Sequence, residues 1–458
     1  MWQRRTAQPG GRPQVVVVGA GFGGLATVGR LTRAGMQVTL VDGNIYSTFQ
    51  PLLYQVATGG LNPSDVAYSL RGFARRYGAS FRRGELAGID PGARRVTLAD
   101  GGQLSYEYLV LATGVAAAYY GVTGADKYSF GLYTRHDAIA LRDRIMAGLE
   151  RLSAADRSEQ VSVTVVGGGA TGVELAGTLA ELRSIALASA FPDIDPGRLH
   201  IRLIEQAPAL LAPFRPSLRE YALRQLRARG VDVMLGTEIL EIADDRVVLA
   251  GGRELGSDLT VWAAGVKAPE SVGRWGLPQG RGGRITTGQD LRVTGQDRIF
   301  AVGDIALIDG QPLPQLAQPA LQMGRHAAEQ IAALAKGGPT VAFSYHDKGI
   351  MATIGRRSAV VQLPWQIRVR GTLAWLAWLA LHLVTLLGNR NRISALVNLT
   401  YRYLTWGHGG GVIMGDDPPM PEHAPSGEGQ ERMSGEGQER MSGEGQERMS
   451  GEPSGGSR

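Results

Sequence analysis

The chain has 458 residues, of which 43% are hydrophobic and none is cysteine, and its formal net charge is +6. This length allows two or three domains with sizeable cores, and this apolar content excludes a polytopic membrane protein. The absence of cysteine excludes disulfides, thiolate metal sites, iron–sulfur clusters and electron transfer through a protein disulfide. The positive charge is compatible with an anionic membrane surface and with nucleic acid. Residues 1–13 carry no secretory signal, which favours the cytoplasmic side.

The first apolar run, Val15 to Val18, leads directly into the glycine loop Gly-Ala-Gly-Phe-Gly-Gly at 19–24. The pattern predicts a strand over 14–18, a helix over 22–34 and a second strand over 38–42. Gly19, Gly21 and Gly24 would let the backbone approach a pyrophosphate at the helix N-terminus, where the helix dipole favours negative charge. Asp42 ends the second strand, where an acid binds ribose hydroxyls. The alternative interpretation is a plain glycine turn and a surface aspartate.

Residues 43–63, which include Gln50, form a long segment without a clear period. We expect an irregular but functional segment, because long structureless stretches inside compact domains usually carry function. Residues 106–114 then predict a buried strand that ends in Thr113 and Gly114. A basic helix is expected around 134–151.

A second strand–glycine–helix unit follows about 150 residues after the first. The strand 161–166 precedes Gly-Gly-Gly-Ala-Thr-Gly at 167–172, in which Gly167, Gly169 and Gly172 match the fingerprint, and a helix is predicted over 170–189. One such fingerprint is weak evidence, but two copies are strong evidence for two bound dinucleotides. The usual pair is a flavin and a nicotinamide.

Two acids of this second unit are candidate contacts to the nucleotide. Glu205 ends the strand 201–205, where a carboxylate accepts from the ribose 2′-hydroxyl and repels a 2′-phosphate, so the sequence predicts NADH rather than NADPH. Glu174 lies one turn into the helix. It is either a charge on the helix dipole or a contact to the ribose or nicotinamide.

The next strand, 298–304, ends in Gly-Asp. Asp304 would either cap the following segment or accept from flavin hydroxyls, and its place at the carboxyl end of a strand favours the second role. A helix over roughly 316–336 carries Gln318 and Gln322 on one face. These amides would donate to a carbonyl-bearing substrate, or they would form an ordinary exposed face.

Residues 365–387 are rich in Trp and Leu and are flanked by arginines. A transmembrane helix, a buried core helix and a helix lying in the membrane interface are the three alternatives. The interfacial helix is favoured by the flanking arginines, by the tryptophans 365, 375, 378 and 406, and by the basic amphipathic stretch 392–406. His382 is predicted to be an interfacial polar residue, and no metal site is predicted.

The sequence Ser-Gly-Glu-Gly-Gln-Glu-Arg-Met occurs three times in 426–449. It contains too few apolar residues to form a core, so a disordered tail is expected over 416–458.

Seven motifs together resemble one family, the type II NADH:quinone oxidoreductases, which are single-subunit NADH dehydrogenases that do not pump protons. They are GAGFGG at 19–24, FQPLLYQVAT at 49–58, YEYLVLATG at 106–114, VVGGGATGVELAG at 165–177, FAVGDIA at 300–306, AQPALQMG at 317–324 and DKGIMATIGR at 347–356. The segment WLALHLVTLLGNRNR resembles the membrane-anchoring helices of that family. The resemblance covers about 14–415.

This resemblance implies non-covalent FAD in the first module, NADH in the second, and a quinone that reaches the flavin from the membrane side. It places Gln50 among the flavin contacts, Glu174 near the nicotinamide or ribose, and Asp304 on the ribityl chain of FAD. It brings Ala317 and Gln318 to the flavin ring, and Gln318, Gln322 and Lys348 to the quinone head.

The expected fold is α/β, with two Rossmann-like modules and C-terminal amphipathic anchoring helices. The expected boundaries are 14–118 with 285–340 for FAD, 119–284 for NADH, 341–415 for the membrane and quinone side, and 416–458 for the tail. Expected partners are NADH, a membrane quinone and anionic lipid at the cytoplasmic face, without nucleic acid, and a homodimer is compatible with the sequence. The alternatives are a soluble flavoprotein reductase of the ferredoxin-reductase or apoptosis-inducing-factor type, and an NADH sensor without turnover.

Overall fold

Two parallel sheets organise the chain in the computed structural model, which describes residues 13–405. The expected disordered tail and Trp406 lie outside these residues. The first sheet has five parallel strands in the order Ile299–Ala301, Tyr108–Leu111, Gln14–Val18, Gln37–Asp42 and Ser80–Arg83. Its central strand is buried on both faces, which explains the unbroken run of valines.

The second sheet repeats this plan with four parallel strands in the order Asp232–Leu235, Leu199–Glu205, Val161–Val166 and Leu259–Trp262. Each parallel sheet is accompanied by a three-stranded antiparallel sheet. These are Leu86–Asp90, Arg95–Leu98 and Gln103–Ser105 in one case, and Ile239–Ile242, Arg246–Leu249 and Glu254–Gly256 in the other. The prediction of an α/β fold with two similar dinucleotide-binding modules is confirmed.

Three short strand pairs complete these two modules. Tyr46–Thr48 pairs with Ala67–Ser69 and Ala116–Ala117 pairs with Val266–Lys267, both antiparallel, and Ile285–Thr287 pairs in parallel with Ala306–Ile308.

Three helices matter for the site. The first fingerprint helix is Phe22–Arg33, the second fingerprint helix is Ala170–Glu181, and the glutamine helix is Ala317–Leu334. The remaining α-helices of the two modules are Leu53–Ala57, Leu70–Tyr77, Ala125–Tyr128, Arg135–Ala154, Leu187–Ala190 and Pro216–Ala228. The helix expected over 170–189 is divided, because the π-helical turn Leu182–Ala186 separates the second fingerprint helix from Leu187–Ala190.

The segment 43–63 is not the irregular stretch that the sequence predicts. It contains the strand Tyr46–Thr48, the 3₁₀ turn Gln50–Leu52 and the helix Leu53–Ala57, whose residues are all buried. Buried Ser47 donates a hydrogen bond to the carbonyl of Ala20 at 2.7 Å and so ties the segment to the first glycine loop. Elements this short contain too few residues to show a period, so the sequence could not reveal them.

The C-terminal region begins with a hairpin. Its strands are Ile350–Gly355 and Ser358–Gln362, and Arg368–Arg370 adds a third antiparallel strand. We refer to the first two strands as the C-terminal hairpin. The tryptophan helix, Thr372–Thr385, and the last helix, Asn389–Thr405, follow. Within the described range 13–405, no helix has the length and apolarity needed to cross a bilayer.

The tryptophan helix is packed on the modules by the residues that we expected to face lipid. Trp375 and Trp378 are buried, and the Trp378 ring lies 6.0 Å from that of Tyr54, between ring centroids. His382 also faces inward, because its ring stacks on Trp378 at 4.0 Å. The prediction that these three residues lie at the lipid interface is therefore wrong. Among the predicted tryptophans within residues 13–405, Trp365 is the one that is exposed, at 90%.

The last helix is attached by polar groups as well as by the buried side chains of Ala395 and Leu399. The buried carboxylate of Asp65 accepts hydrogen bonds from the Ser394 hydroxyl and the Asn398 amide, both at 2.6 Å, and Asn391 donates to the Ala67 carbonyl at 2.7 Å. The outward side is apolar. We call the exposed apolar side chains of the tryptophan helix and the last helix the apolar face; they are Leu373, Leu376, Leu381, Val384, Ile393, Leu396 and Val397.

Gly177 sets the distance between the second fingerprint helix and the C-terminal hairpin. A Cβ atom at Gly177 would lie 2.3 Å from the carbonyl oxygen of Ile354. Gly177→Ala should lower the free energy of unfolding by about 1–3 kcal/mol, because this overlap outweighs the better helix propensity of alanine. Denaturant unfolding of the flavin-loaded protein measures the change.

Gly256→Ala is the matched control, since a Cβ atom there meets no atom within 4 Å. Equal effects of the two substitutions would contradict the close packing at Gly177.

Candidate functional site

The first glycine loop is shaped for close backbone approach. A Cβ atom on Gly19, which has a φ of +101°, would lie 2.2 Å from the Ala112 carbonyl oxygen, and one on Gly24 would lie 1.9 Å from the Gly19 oxygen. A Cβ atom on Gly21 would have no atom within 4 Å. The N–H groups at the start of the first fingerprint helix are thus accessible to an anion, which fits the pyrophosphate of a dinucleotide.

Asp42 lies beside this loop, as the fingerprint requires. Its carboxylate accepts from the Ala20 N–H at 2.7 Å and the Asn44 N–H at 2.8 Å. Burial raises the pKa of the Asp42 carboxyl, and these two N–H groups oppose the increase. The interpretation as an unrelated surface aspartate therefore does not hold.

Two further polar groups lie near the carboxyl edge of the first sheet. The hydroxyl of Thr113 is buried and has no hydrogen-bond partner among residues 13–405, and Gly114, with a φ of +68°, turns the chain away after it. The Asp304 carboxyl borders a narrow cavity with Arg284, Pro319 and Met323. Burial raises the pKa of Asp304 to about 6, opposed by the charge of Arg284.

These observations test whether the first module fits FAD. An orphaned buried hydroxyl, a buried carboxyl and an open glycine loop are the partners that a ribityl chain and a pyrophosphate need. Gln50 is exposed and donates to the Tyr133 carbonyl at 3.4 Å. The residues fit the group.

The second glycine loop has the same shape. A Cβ atom on Gly172 would lie 1.9 Å from the Gly167 oxygen, and Gly169 faces open space. Glu205 lies against the loop, where its carboxylate accepts from the Gly168 N–H at 2.5 Å and the Ala207 N–H at 2.7 Å. The carboxylate that the sequence predicts as a ribose acceptor therefore lies at the loop.

Glu174 is buried at the junction between the second fingerprint helix and the C-terminal region. Its carboxyl accepts from the Thr353 N–H at 3.2 Å and is hydrogen-bonded to the side chain of Trp378. Burial raises the pKa of Glu174 to about 8, although both hydrogen bonds oppose the increase. A largely neutral carboxyl gains little from the helix dipole, so the structure disfavours that interpretation of Glu174.

The structure places an aromatic cluster beside Glu174 that the sequence analysis did not predict. Trp378 and His382 stack, Phe49 meets the His382 ring edge-on at 6.2 Å, and Tyr54 contacts Trp378. The His382 Nδ1 lies 2.7 Å from the Trp378 carbonyl oxygen, and burial lowers the pKa of His382 to about 4, so the imidazole is neutral. The spacing of Ala374, Trp378 and His382 by four residues is the one signal that could have revealed an inward face.

The glutamine helix gives its two predicted residues different environments. The amide of Gln322 pairs with the backbone of His346, donating to the carbonyl at 2.9 Å and accepting from the N–H at 3.0 Å. Gln318 is half-buried, and its side-chain amide makes no hydrogen bond with the rest of residues 13–405. Ala317 begins the helix, and Lys348 is exposed two residues after His346. Gln318 is thus the amide that is available to a ligand.

Within residues 13–405 there is no group of three or more histidine, aspartate or glutamate side chains that could hold a metal ion.

Two family models match the chain. The model described as pyridine nucleotide-disulphide oxidoreductase matches residues 13–324, and the model described as NDH2 C-terminal domain matches residues 347–406. Together they cover both glycine loops and the C-terminal region.

Curated relatives agree with these matches. The type II NADH:quinone oxidoreductase NdhA of Mycobacterium tuberculosis is 38% identical over 84% of this chain and 86% of its own length. The protein named Ndh from the same organism is 34% identical over 88% of this chain and 90% of its own length. The Staphylococcus aureus enzyme is 30% identical over 76% of this chain and 89% of its own length.

Solved structures share the fold. The NDH2 structure from Plasmodium falciparum in complex with NADH covers 87% of this chain and 100% of its own, with a TM-score of 0.81 and 18% identity. A ferredoxin reductase from Rhodopseudomonas palustris covers 77% of this chain and 83% of its own, with a TM-score of 0.63 and 23% identity. Because the fold is common to both classes, the sequence matches decide, and the chain belongs to the type II NADH:quinone oxidoreductase family.

Proposed function

We propose that this chain oxidises NADH and reduces a membrane quinone through bound FAD, without pumping protons. The observation that carries the proposal is the match of residues 347–406 to the NDH2 C-terminal domain, in a chain 38% identical to a type II NADH:quinone oxidoreductase. The ferredoxin reductase that shares the fold covers 77% of this chain, whereas the NDH2 structure covers 87%. An NADH sensor without turnover would need no apolar face beside the flavin module.

FAD, when bound, accepts a hydride from NADH and passes two electrons to the quinone. The chain binds and orients the two nucleotides, and no protein nucleophile is required. We assign Gly19, Gly21 and Gly24 to the FAD pyrophosphate and Asp42 to its ribose. Gln50, Thr113, Gly114, Asp304 and Ala317 are assigned to the rest of the flavin. The free hydroxyl of Thr113 and the buried carboxyl of Asp304 support this assignment.

We assign Gly167, Gly169 and Gly172 to the NADH pyrophosphate, and Glu205 to its ribose. Glu174 would lie near the nicotinamide end and hold a proton at neutral pH, supported by its burial. The quinone head would meet Gln318, with Gln322 and Lys348 close by. The free amide of Gln318 supports a direct contact, whereas Gln322 would act by holding the segment around His346.

The domain boundaries follow the sheets in this proposal. Residues 14–118 and 285–340 would form the FAD domain, since the strand Ile299–Ala301 returns to pair with Tyr108–Leu111. Residues 119–284 would form the NADH domain, and 341–415 the quinone and membrane side.

We further propose that the apolar face docks on the cytoplasmic face of the membrane. Its seven exposed aliphatic residues are more than a water-soluble surface tolerates in one place. Exposed Arg368 and Arg370 precede it, and exposed Arg390 and Arg392 lie in the first turn of the last helix, where anionic headgroups would meet them. A cytoplasmic location suits an enzyme that uses the cytosolic NADH pool.

The proton held by Glu174 makes stability depend on pH. A carboxyl whose pKa is higher in the folded protein than in the unfolded chain contributes fully below its ordinary pKa of 4.5, and this contribution is lost as the pH rises through about 8. At pH 4.5, Glu174→Gln should therefore unfold near the unfolding temperature of the wild type. Above pH 8 the variant should unfold roughly a few degrees higher than the wild type, because glutamine does not ionise. Thermal unfolding at both pH values measures this. Exposed Glu150→Gln is the control, and a difference independent of pH would refute the assignment.

The charge of Glu205 predicts a preference for NADH over NADPH. Glu205→Ala should weaken the preference for NADH, which is the ratio of the kcat/KM value with NADH to that with NADPH. The decrease should correspond to roughly 1–3 kcal/mol of free energy, because the substitution removes a charged acceptor. Steady-state kinetics with both nucleotides measures the ratio. Exposed Glu238→Gln controls for the general negative field of the module. Equal efficiency of the wild type with both nucleotides would overturn the role of Glu205.

The free amide of Gln318 predicts a role at the quinone. Gln318→Ala should slow reoxidation of the reduced enzyme by a short-chain quinone about tenfold, as expected for one lost hydrogen bond, and leave reduction by NADH nearly unchanged. Rapid mixing separates the two half-reactions. Gln330→Ala is the control, because Gln330 lies on the same helix and holds the Val341 N–H at 2.8 Å. If reduction by NADH suffers most, Gln318 is not at the quinone.

A further inference from the structure

A second concave site lies away from both glycine loops. It is a surface cavity of about 260 Å³, which we call the arginine pocket, and it is lined by Glu181, Ser184, Ile185, Arg229, Arg356 and Arg357. None of these residues has a part in the proposed binding of NADH, FAD or quinone. The pocket is therefore a candidate binding site for a separate ligand.

Three chain segments build the pocket, and backbone carbonyls hold one of its arginines. The π-helical turn Leu182–Ala186 supplies one wall, and such turns often mark functional sites. Arg183 of this turn donates to the carbonyls of Leu199 and Gly230, and also to that of Arg229. Arg229 in turn donates to the carbonyl of Arg356 at 3.3 Å. The guanidinium of Arg229 is thus held by backbone carbonyls, next to the hairpin turn that carries Arg356 and Arg357.

The pocket is electropositive. Three guanidinium groups line it, with Arg183 directly behind, and Glu181 is the acid in the lining. Guanidinium groups carry forked donors that match the oxygens of a phosphate and keep their charge at every physiological pH. The chemistry of the lining therefore fits an oxyanion such as a phosphate group.

The pocket lies beside the start of the apolar face. Arg356 and Arg357 form the turn of the C-terminal hairpin, and the Arg357 carbonyl accepts from the hydroxyl of Thr372, the first residue of the tryptophan helix, at 3.4 Å. The next residue is Leu373, which is 72% exposed. A phosphate held here would lie at the rim of the face that we propose to dock on the bilayer.

We propose that the arginine pocket binds the phosphate of one anionic phospholipid headgroup while the apolar face rests among the acyl chains. This inference rests on the proposed docking of the apolar face. It adds a defined headgroup site to what would otherwise be a diffuse attraction between arginines and a negative surface. The site would fix the orientation of the protein on the membrane. The apolar face alone sets which side of the protein meets the bilayer, and a headgroup bound at one end of the tryptophan helix adds a second attachment point.

The test compares arginine pairs of equal charge in the full-length, FAD-loaded protein. Arg356→Gln/Arg357→Gln empties the pocket of two charges. Arg368→Gln/Arg370→Gln removes two exposed charges next to the apolar face but outside the pocket. Arg94→Gln/Arg95→Gln removes two exposed charges at a hairpin turn of another sheet, where Arg94 has a φ of +51° that matches the +58° of Arg357. FAD content and activity with a short-chain quinone in detergent show that each variant is folded.

Two binding measurements are made on each protein. One is partition onto phosphatidylcholine vesicles with and without phosphatidylglycerol, and the other is calorimetric titration with monomeric short-chain phosphatidylglycerol. The wild type should bind the soluble lipid saturably at one site, and the pocket variant should lose this. Its partition onto phosphatidylglycerol vesicles should fall about fivefold for each lost charge, with little change on pure phosphatidylcholine. Arg357→Gln alone should give an intermediate loss, which guards against misfolding of the double variant.

Equal losses for the pocket variant and Arg368→Gln/Arg370→Gln, without saturable lipid binding, would overturn the proposal in favour of a diffuse field. Saturable binding of inorganic phosphate that is lost in the pocket variant, with unchanged vesicle partition, would overturn the lipid assignment and identify a soluble phosphate as ligand. A wild type that binds neither kind of vesicle would refute the docking itself, while NADH:quinone activity in detergent would still stand. The two failures are therefore distinguishable.

Discussion

Contacts between glycines and backbone atoms hold the parts of the proposed site together. The first fingerprint helix and the glutamine helix meet at Gly324, where a Cβ atom would lie 2.2 Å from the Gly23 carbonyl oxygen. The Thr27 hydroxyl bridges the two helices, because it lies within hydrogen-bond distance of the carbonyl oxygens of Gly23 and Gly324. The second fingerprint helix meets the C-terminal hairpin in the same way at Gly177. Any side chain at these points would push apart the elements that carry Gln318 and Glu174. The positions of the chemically important groups thus depend on residues that have no side chain.

The parts of the site that local sequence determines were predictable. Each glycine loop is six consecutive residues after an apolar strand, and in both modules an acid ends the next strand, so Asp42 and Glu205 could be named without coordinates. The fold class follows from the same local units.

The parts that depend on distant partners were not predictable. Gln318 and Gln322 look equivalent in the sequence, and only the position of His346 separates a free amide from an occupied one. His382 and Trp378 look interfacial because their own helix is apolar all round, and their inward direction depends on Phe49 and Tyr54, more than 300 positions away. A helical period shows that one face differs from another, but it does not show what the face meets.

The last helix has an unusual distribution of polarity. In a helix on the surface of a globular protein the polar side faces water, whereas here Ile393, Leu396 and Val397 face outward. The side toward the protein carries Asn391, Ser394 and Asn398 beside the buried Ala395 and Leu399. The outward apolar side chains are poorly solvated by water, and the hydrogen bonds to Asp65 and Ala67 hold the helix together with the buried side chains of Ala395 and Leu399. Such an attachment does not weaken when the surroundings become apolar, because hydrogen bonds strengthen as the local dielectric falls. Transfer from water to lipid would thus tighten the hold of the last helix on the enzyme, where an ordinary amphipathic helix would be drawn away from its core.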